Sequence, residues 1–252
     1  MSRSVMLLSA LCLALVLPAT LAADVEKEFE RVVPLNSSGA FSVSNVNGGI
    51  DVETWNRNEA RITARLKASN QQALDQIEIE ITGQGDKVTV ETKLPKNSDD
   101  NRSVSYRIWV PQGAQVSTNT VNGSVSVRDV AGAIRAKSVN GTVAVSAAGG
   151  EVDASTVNGK IEASYRNAPN QGRHEFSTVN GSVNLSLPSA AGGDFEASSV
   201  NGSIDTDFPL TVERARFSGS SKLQGRFGSG SASFKVKTVN GSVKIQKSER
   251  TI

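Results

Sequence analysis

A Val-Asn-Gly tripeptide recurs through the chain and places an asparagine side chain at each of seven turns. An exposed row of amides could present hydrogen-bonding groups to a glycan or a peptide. Stacked asparagines can instead hydrogen-bond to one another and hold successive turns together, and this structural role is the favoured interpretation. The turn residues are Asn47, Gly48, Asn122, Gly123, Asn140, Gly141, Asn158, Gly159, Asn180, Gly181, Asn201, Gly202, Asn240 and Gly241.

A second candidate site follows the turns, at an outward position occupied by Asp51, Ser126, Ala144, Glu162, Asn184, Asp205 and Lys244. Glu162, Asn184 and Asp205 belong to successive units and could form an oxygen-rich strip that binds Ca²⁺ or polarises a sugar. This strip is the basis of an alternative function, a polysaccharide-active β-helix enzyme. One member is neutral and no basic residue supports it, so a solvated face is favoured.

The sequence contains few other residues that could support catalysis. The single histidine, His174, lies in a polar stretch between Arg173 and Glu175, and the single cysteine, Cys12, is close to the N-terminus. No Gly-x-Ser-x-Gly, His-Glu-x-x-His or phosphate-binding motif occurs in the sequence. The sequence therefore predicts a non-catalytic protein that uses no metal or cofactor.

Cationic residues concentrate at the C-terminal end, where residues 214–252 contain 9 Lys or Arg against 1 Asp or Glu. This cluster could bind an anionic surface such as lipid head groups or another acidic polymer. Alternatively, lysines at an exposed sheet edge would prevent edge-to-edge aggregation. The compartment and the lack of exposed aromatic platforms argue against nucleic acid. The candidate residues are Arg214, Arg216, Lys222, Arg226, Lys235, Lys237 and Lys244.

The turns define a repeat of about 20 residues, with Val-Asn-Gly beginning at positions 46, 121, 139, 157, 179, 200 and 239. Apolar residues alternate with polar ones on both sides of each turn, which is the pattern of β-strands. Coils of about 18–22 residues stacked as a β-solenoid are favoured, because the inward residues are small enough for a narrow core. An antiparallel β meander or sandwich is the alternative, since Asn-Gly is also a strong hairpin signal that tolerates φ > 0. The gap of 39 residues before the last motif suggests a degenerate unit near residues 217–219.

The segment 56–112 interrupts the repeat and predicts an N-terminal β lobe. Strands are expected at 77–81, 88–92 and 104–110, and one or two helical turns at 69–75. The predicted organisation is a signal peptide at 1–23, a β lobe with the first coil at 24–112, and the repeat solenoid at 113–252.

The first residues have the features of a secretory signal peptide, with an apolar run from Val5 to Leu17 and small residues at Ala22 and Ala23. That run is too short to span a bilayer comfortably. We therefore expect a cleaved, periplasmic or extracellular protein that does not span the membrane.

The chain resembles a family of exported, adhesin-like domains of unknown function related to right-handed β-helix head domains. The resemblance rests on Val46-Asn-Gly-Gly-Ile-Asp-Val52, the run Val104–Pro111, the Thr/Ser-Val-Asn-Gly series and the glycine-rich stretch before Lys237-Thr-Val-Asn-Gly241. It implies a fold and an envelope location, and it supplies no catalytic residues. The sequence thus predicts a non-catalytic binding scaffold for an envelope polymer, lipid head groups or a partner protein.

Overall fold

The computed structural model describes residues 24–95, 101–210, 212–214 and 220–248, with side chains omitted at 212–214. Twenty β-strands and one five-residue helix make up this part of the chain, which confirms the predicted all-β class. The strands are β1 (Val25–Ser44), β2 (Ile50–Trp55), β3 (Glu59–Ala68), β4 (Glu78–Thr82), β5 (Gly85–Lys93), β6 (Ser103–Pro111), β7 (Gln115–Asn122), β8 (Val125–Arg128), β9 (Ile134–Asn140), β10 (Val143–Ala148), β11 (Val152–Asn158), β12 (Ile161–Tyr165), β13 (Arg173–Asn180), β14 (Val183–Pro188), β15 (Gly193–Asn201), β16 (Ile204–Thr206), β17 (Val212–Arg214), β18 (Ser221–Phe227), β19 (Ala232–Asn240) and β20 (Val243–Ser248).

Each Val-Asn-Gly motif joins two strands that lie in different sheets. Strand β11 ends at Asn158 and pairs in parallel with β9 and β13, whereas β12, which follows the turn, pairs in parallel with β10 and β14. A hairpin would instead pair β11 with β12 in antiparallel fashion. The meander interpretation of the repeat is therefore wrong, and each unit forms one coil whose two strands stack on those of the neighbouring coils.

The spatial order of the coils differs from their order in the sequence. The last unit, β19 and β20, lies between the unit of β13 and β14 and the unit of β15 and β16. The second sheet, made of the strands that precede the turns, therefore runs β7, β9, β11, β13, β19, β15. The first sheet correspondingly runs β8, β10, β12, β14, β20, β16.

The long connection before the last unit contains an antiparallel pair of strands, β17 and β18. Strand β18 pairs antiparallel with β15 and with β17, so the hairpin covers the edge of the second sheet. The expected degenerate unit at 217–219 lies outside the described residues.

The N-terminal strands extend both sheets at the opposite end. Strand β1 pairs antiparallel with β3 over Val25–Pro34, then crosses to the second sheet and pairs in parallel with β5 and β7. Strand β6 joins β3 to β2 in the first sheet, and β4 pairs with β5 in the second. The predicted strands are confirmed here as β4, β5 and β6. So is the helical segment, α1 (Gln71–Asp75), which Asn70 caps through a hydrogen bond from the Ala73 amide.

The core lies between the two sheets and contains mainly small aliphatic side chains, with aromatic rings toward the last coils. Phe195 stacks on Phe234 at a centroid distance of 5.2 Å, and both rings are almost fully buried. Phe208 and Phe227 pack beside them at 4.4 Å from one another. Close packing of this kind makes each coil dependent on its two neighbours.

The proposed division of the chain at residue 112 remains a prediction. The predicted signal peptide at 1–23 and the candidate residue Arg216 lie outside the described residues. Within the described residues, no helix has the length and hydropathy needed to span a membrane.

Removing one unit tests the stacked-coil arrangement. Deletion of residues 141–158 joins Asn140 to Gly159 and restores a Val-Asn-Gly turn. Arg135 would then face Glu175, since both now flank Asp153 in register. Because coils contact only their neighbours, we expect a cooperative, β-rich unfolding transition within several degrees of the parent, measured by circular dichroism.

Deletion of residues 141–149 is the matched control. It removes strand β10 alone and joins β9 directly to β11, two strands of the same sheet. We expect this shorter deletion to abolish cooperative folding. Equal behaviour of the two deletions, or aggregation of the full-unit deletion, would contradict the coil assignment.

Candidate binding surfaces of the stacked coils

The seven turn asparagines form one continuous ladder of side-chain amides. Each Nδ2 donates to the Oδ1 of the neighbouring asparagine at 2.8 Å, and Asn47 ends the ladder by donating to the Arg102 carbonyl oxygen at 3.2 Å. The donor–acceptor pairs run Asn122–Asn47, Asn140–Asn122, Asn158–Asn140, Asn180–Asn158, Asn240–Asn180 and Asn201–Asn240. These bonds hold the turns together, which is the structural role that the sequence favoured.

A second ladder lies inside the first and uses the residue before each turn valine. Its buried hydroxyl donates to the carbonyl oxygen of the turn glycine in the adjacent coil, and Asn45 takes the hydroxyl's place in the first unit. Ser221, from the antiparallel strand β18, continues the ladder beyond the coil of β15 and β16. The pairs are Thr120–Gly48 (3.2 Å), Ser138–Gly123 (2.8 Å), Thr156–Gly141 (2.9 Å), Thr178–Gly159 (3.0 Å), Thr238–Gly181 (2.9 Å), Ser199–Gly241 (2.8 Å) and Ser221–Gly202 (3.1 Å).

The turn glycines are required by close approach between coils. A Cβ atom added to Gly159 would lie 2.0 Å from the carbonyl oxygen of Gly141, and one on Gly181 would lie 1.9 Å from that of Gly159. The expectation that these turns need φ > 0 is wrong for most of them, since among the turn residues only Gly48 is clearly left-handed, at 116°. The chain turns the corner with ordinary backbone angles, and glycine is needed because the next carbonyl occupies the space of a side chain.

The turn valines form a row on the outside of the stack, beside the asparagine ladder. They are 36–50% exposed, and apart from Val32 they account for every large exposed hydrophobic side chain among the described residues. The row consists of Val46, Val121, Val139, Val157, Val179, Val239 and Val200 in spatial order.

The oxygen-rich strip predicted from Glu162, Asn184 and Asp205 is interrupted. Lys244 pairs with Asn184 on one side and with Asp205 on the other, because the last unit inserts between theirs. Three strand spacings, about 14 Å, therefore separate Glu162 from Asp205. Among the described residues, no group of three or more histidine, cysteine or carboxylate side chains is placed to hold a metal ion. The alternative of a polysaccharide-active enzyme thus loses the pair on which it rested.

His174 is a core residue of β13 and does not lie in a polar loop as expected. Tyr165 donates its hydroxyl to Nδ1 at 2.8 Å, Nε2 faces the Gln171 carbonyl oxygen at 3.3 Å, and Phe234 stacks on the ring at 4.9 Å. Desolvation by burial lowers the pKa of His174 below its ordinary 6.5, while the hydrogen bond to Gln171 opposes that shift. The imidazole is therefore held neutral and serves the core.

The C-terminal cationic residues are dispersed over the stack. Strands β19 and β20 are interior strands, so the idea that their lysines protect a sheet edge is wrong. Lys235 lies in register between Glu175 and Glu196, and Arg226 forms an ion pair with Asp194 at 3.1 Å.

Lys237 differs from these residues, because Ser177 and Ser198 are its neighbours in register on the outer face of the second sheet. Lys222 lies in register between Ser198 and Glu213. For Arg214 only its place in β17 is described.

The chain's two tryptophans, Trp55 and Trp109, were not predicted as a site and are partly exposed on the outer face of the first sheet. Their rings stack at a centroid distance of 6.4 Å and an angle of 30°. Arg57 lies over Trp55 at 5.0 Å, and Arg61 lies over Trp109 at 5.3 Å. The available signal was strand alternation, which puts Trp109 in phase with the exposed Arg107 and out of phase with the buried Ile108.

Comparison with known proteins gives a family and several structures of similar length. A family model described as Toastrack DUF4097 matches residues 28–246. No curated protein matches the chain at a significant level.

Three solved structures are similar to the chain. A "putative cell adhesion protein" from Clostridium sporogenes is 14% identical, with a TM-score of 0.49, covering 89% of this chain and 100% of its own. A "putative adhesin" from Bacteroides fragilis is 12% identical, with a TM-score of 0.45 and coverages of 87% and 97%. A "putative lipid binding protein" from Parabacteroides distasonis is 10% identical, with a TM-score of 0.34 and coverages of 88% and 97%.

The close approach at the turns predicts the effect of Gly159→Ala. Because the added methyl group meets backbone that cannot move without displacing the neighbouring coil, we expect a loss of about 3 kcal/mol or more in the free energy of unfolding, the upper end for overpacking. Gly49→Ala is the matched control, since its nearest atom, the Ser124 carbonyl oxygen, is 3.3 Å away. Similar denaturant midpoints for the two variants would contradict the steric requirement.

The buried neutral state of His174 predicts a pH-dependent stability. Its folded pKa is lower than its unfolded pKa of 6.5, so below pH 6.5 the unfolded chain binds the proton more readily. This contribution to stability is fully present above pH 6.5 and is lost as the pH falls toward 5, at on the order of 1 kcal/mol per pH unit.

His174→Gln keeps an acceptor for Tyr165 but cannot titrate. The difference in unfolding free energy between the parent and this variant should shrink as the pH falls through that range. A difference that is constant between pH 7 and pH 5 would show that His174 is not held neutral.

Proposed function

The chain belongs to the Toastrack DUF4097 family, and we propose that it is an exported, non-catalytic binding scaffold of the cell envelope that holds a carbohydrate polymer, as an adhesin does. The observation that carries this proposal is the partly exposed tryptophan pair. In this proposal, the signal peptide at 1–23 delivers the protein to the periplasm or the outside of the cell. The stacked coils form a right-handed β-solenoid, which acts as a rigid support for the binding face.

The tryptophan pair provides an aromatic platform on a rigid sheet. Trp55 is in β2 and Trp109 in β6, two adjacent parallel strands, and the indole Nε1 of Trp55 donates to the Glu59 carbonyl oxygen at 2.8 Å. The ring of Trp55 is therefore fixed before any ligand arrives. Large aromatic side chains at outward positions supply apolar area at low entropic cost, and the C–H face of a sugar ring packs well on an indole.

Charged side chains flank the platform and can hydrogen-bond to sugar hydroxyls. Arg61 and Glu53 lie in register on either side of Trp109, and Arg128 forms an ion pair with Glu53 at 2.8 Å. A row of this composition has both donors and acceptors but little net charge. It therefore suits a neutral or weakly charged glycan better than a highly charged polymer.

The coils explain why a polymer suits this protein better than a small ligand. An outward row next to the platform crosses the first sheet, with Ser126, Ala144 and Glu162 following Asp51 in register. Its members repeat at the strand spacing of about 4.8 Å. An extended chain anchored at the tryptophans could thus contact several coils at once.

Intrinsic fluorescence tests the proposal directly, because the chain has only these two tryptophans. The tagged chain from Asp24 onward is first retained on isolated envelope fractions, with and without salt, and then titrated with polysaccharides released from them. We expect a saturable change in emission, and Trp109→Ala should weaken retention at least tenfold without lowering the melting temperature by more than a few degrees.

Val179→Ser is the matched control, since Val179 is an exposed hydrophobic residue at 40% on a turn away from the tryptophan platform. It should retain parental binding. Failure of the parent to bind any envelope fraction would contradict the proposed function, and release of new reducing ends from the polysaccharide would show that the protein is an enzyme.

A further inference from the structure

The turns form a ridge along one corner of the stack, here called the Val-Asn ridge. It consists of the seven turn valines and the seven turn asparagines already named. With seven coils spaced at about 4.8 Å, it is about 29 Å long. The asparagine amides bond to one another along it, so the exposed apolar surface of the ridge comes from the valines.

The valine row lacks a partner in the described chain. Val157 is 40% exposed and Val200 is 50% exposed. These positions face outward, so a polar residue would fit the alternation of the strand equally well. Contiguous exposed apolar strips on a protein usually mark an interaction site. The ridge therefore calls for a partner with an apolar component.

Within the seven coils, the rows that flank the ridge contain lysines and no carboxylates. On the second-sheet side the row runs from Ser44 to Ser198 and continues to Lys222 in β18, and Glu91 and Glu213 follow in register beyond its two ends. On the first-sheet side, which begins at Gly49, the row carries Lys160 among glycine and hydroxyl residues. The two rows are Ser44, Asn119, Lys137, Ser155, Ser177, Lys237, Ser198 and Lys222, and Gly49, Ser124, Thr142, Lys160, Ser182, Ser242 and Ser203.

The carboxylates of the repeat stand one row further from the ridge. Asp153, Glu175 and Glu196 share a row on the second sheet, where Arg135 and Lys235 are in register with them. Arg135 forms an ion pair with Asp153 at 2.9 Å, which leaves Lys137 at 4.0 Å from the same carboxylate. Along the seven coils the ridge thus combines an apolar line with flanking lysines, and the carboxylates of these coils stand in the next rows outward.

We propose that the Val-Asn ridge docks on an anionic lipid surface, with the valines at the boundary between head groups and acyl chains and with Lys137, Lys222 and Lys237 against lipid phosphates. Lipid phosphates attract nearby lysines, and apolar side chains at the same level add burial. A straight ridge along one corner can lie along a membrane over its whole length. This surface is separate from the tryptophan platform, which lies on the outer face of the first sheet.

A second copy of the chain fits the ridge less well. A single row of half-buried valines offers far less than the roughly 800 Å² per partner that a stable dimer buries. Two ridges brought together would also place Lys137 and Lys237 of both copies close to one another, which is unfavourable. Neither objection applies to an anionic membrane surface, because its negative phosphates attract the lysines.

Vesicle sedimentation tests the proposal with the chain from Asp24 onward. Vesicles of phosphatidylcholine containing phosphatidylglycerol should bind the protein, vesicles of phosphatidylcholine alone should not, and moderate salt should weaken binding because exposed charges are screened. The variant K137Q/K222Q/K237Q should bind at least tenfold more weakly, since each lysine near an anionic surface contributes about fivefold. The control K87Q/K244Q/K247Q removes three exposed lysines elsewhere and should bind like the parent.

The apolar part of the proposal is tested by V139T/V157T/V179T/V239T, which keeps the shape and β-propensity of each side chain. It should fold with a melting temperature near that of the parent and bind vesicles at least tenfold more weakly. Equal vesicle binding by the parent and either ridge variant would overturn the proposal. The proposal would also be overturned if sedimentation equilibrium showed that the parent is a dimer and that only the threonine variant abolishes it.

Polysaccharide binding by the tryptophan platform and vesicle binding by the Val-Asn ridge can be tested independently. Loss of vesicle binding in the ridge variants should leave the tryptophan fluorescence response to polysaccharide unchanged. If the parent binds polysaccharide but not anionic vesicles, the ridge proposal fails and the proposed function stands.

Discussion

The fold depends on how closely the backbones of successive coils approach at the turn glycines. The carbonyl oxygen of one turn glycine stands about where the next would carry a side chain, 2.0 Å from the Cβ position at Gly159. That carbonyl, of Gly141, also accepts a hydrogen bond from the Thr156 hydroxyl of the adjacent coil at 2.9 Å. A coil displaced by one residue would lose this bond and bring a side chain against the carbonyl, so the register is fixed at each turn.

Fixed register determines the outer surface as well as the core. Because every coil places its valine and asparagine at the same corner, side chains of one type form rows, and the asparagines satisfy one another. The valines remain outside, with Lys137, Lys160 and Lys237 in the rows beside them. At the N-terminal end of the stack, β2 and β6 carry the two tryptophans on the outer face of the first sheet. Both surfaces thus follow from strand alternation on a rigid support.

Much of this arrangement was readable from the sequence, and the rest failed for identifiable reasons. Alternation predicted the strands around Val88 and Val104, and the same rule applied to Arg173 and Glu175 would have placed His174 in the core. The order of the coils could not be predicted, because each turn offers the same amide, hydroxyl and glycine. Because every coil presents the same groups to its neighbours, the turns do not determine which coils are adjacent. The insertion of β19 beside β13 therefore depends on the connecting hairpin and the aromatic core.

Cysteine cross-linking measures that order most directly. In the chain from Asp24 onward, which contains no cysteine, the pairs S177C/K237C and K237C/S198C replace outward residues that are adjacent in register. A short bifunctional thiol reagent should link both pairs efficiently and should not link S177C/S198C, whose strands are two spacings, about 9.6 Å, apart. Efficient linkage of S177C/S198C, with no linkage of S177C/K237C, would show that the coils stack in sequence order and would contradict the account.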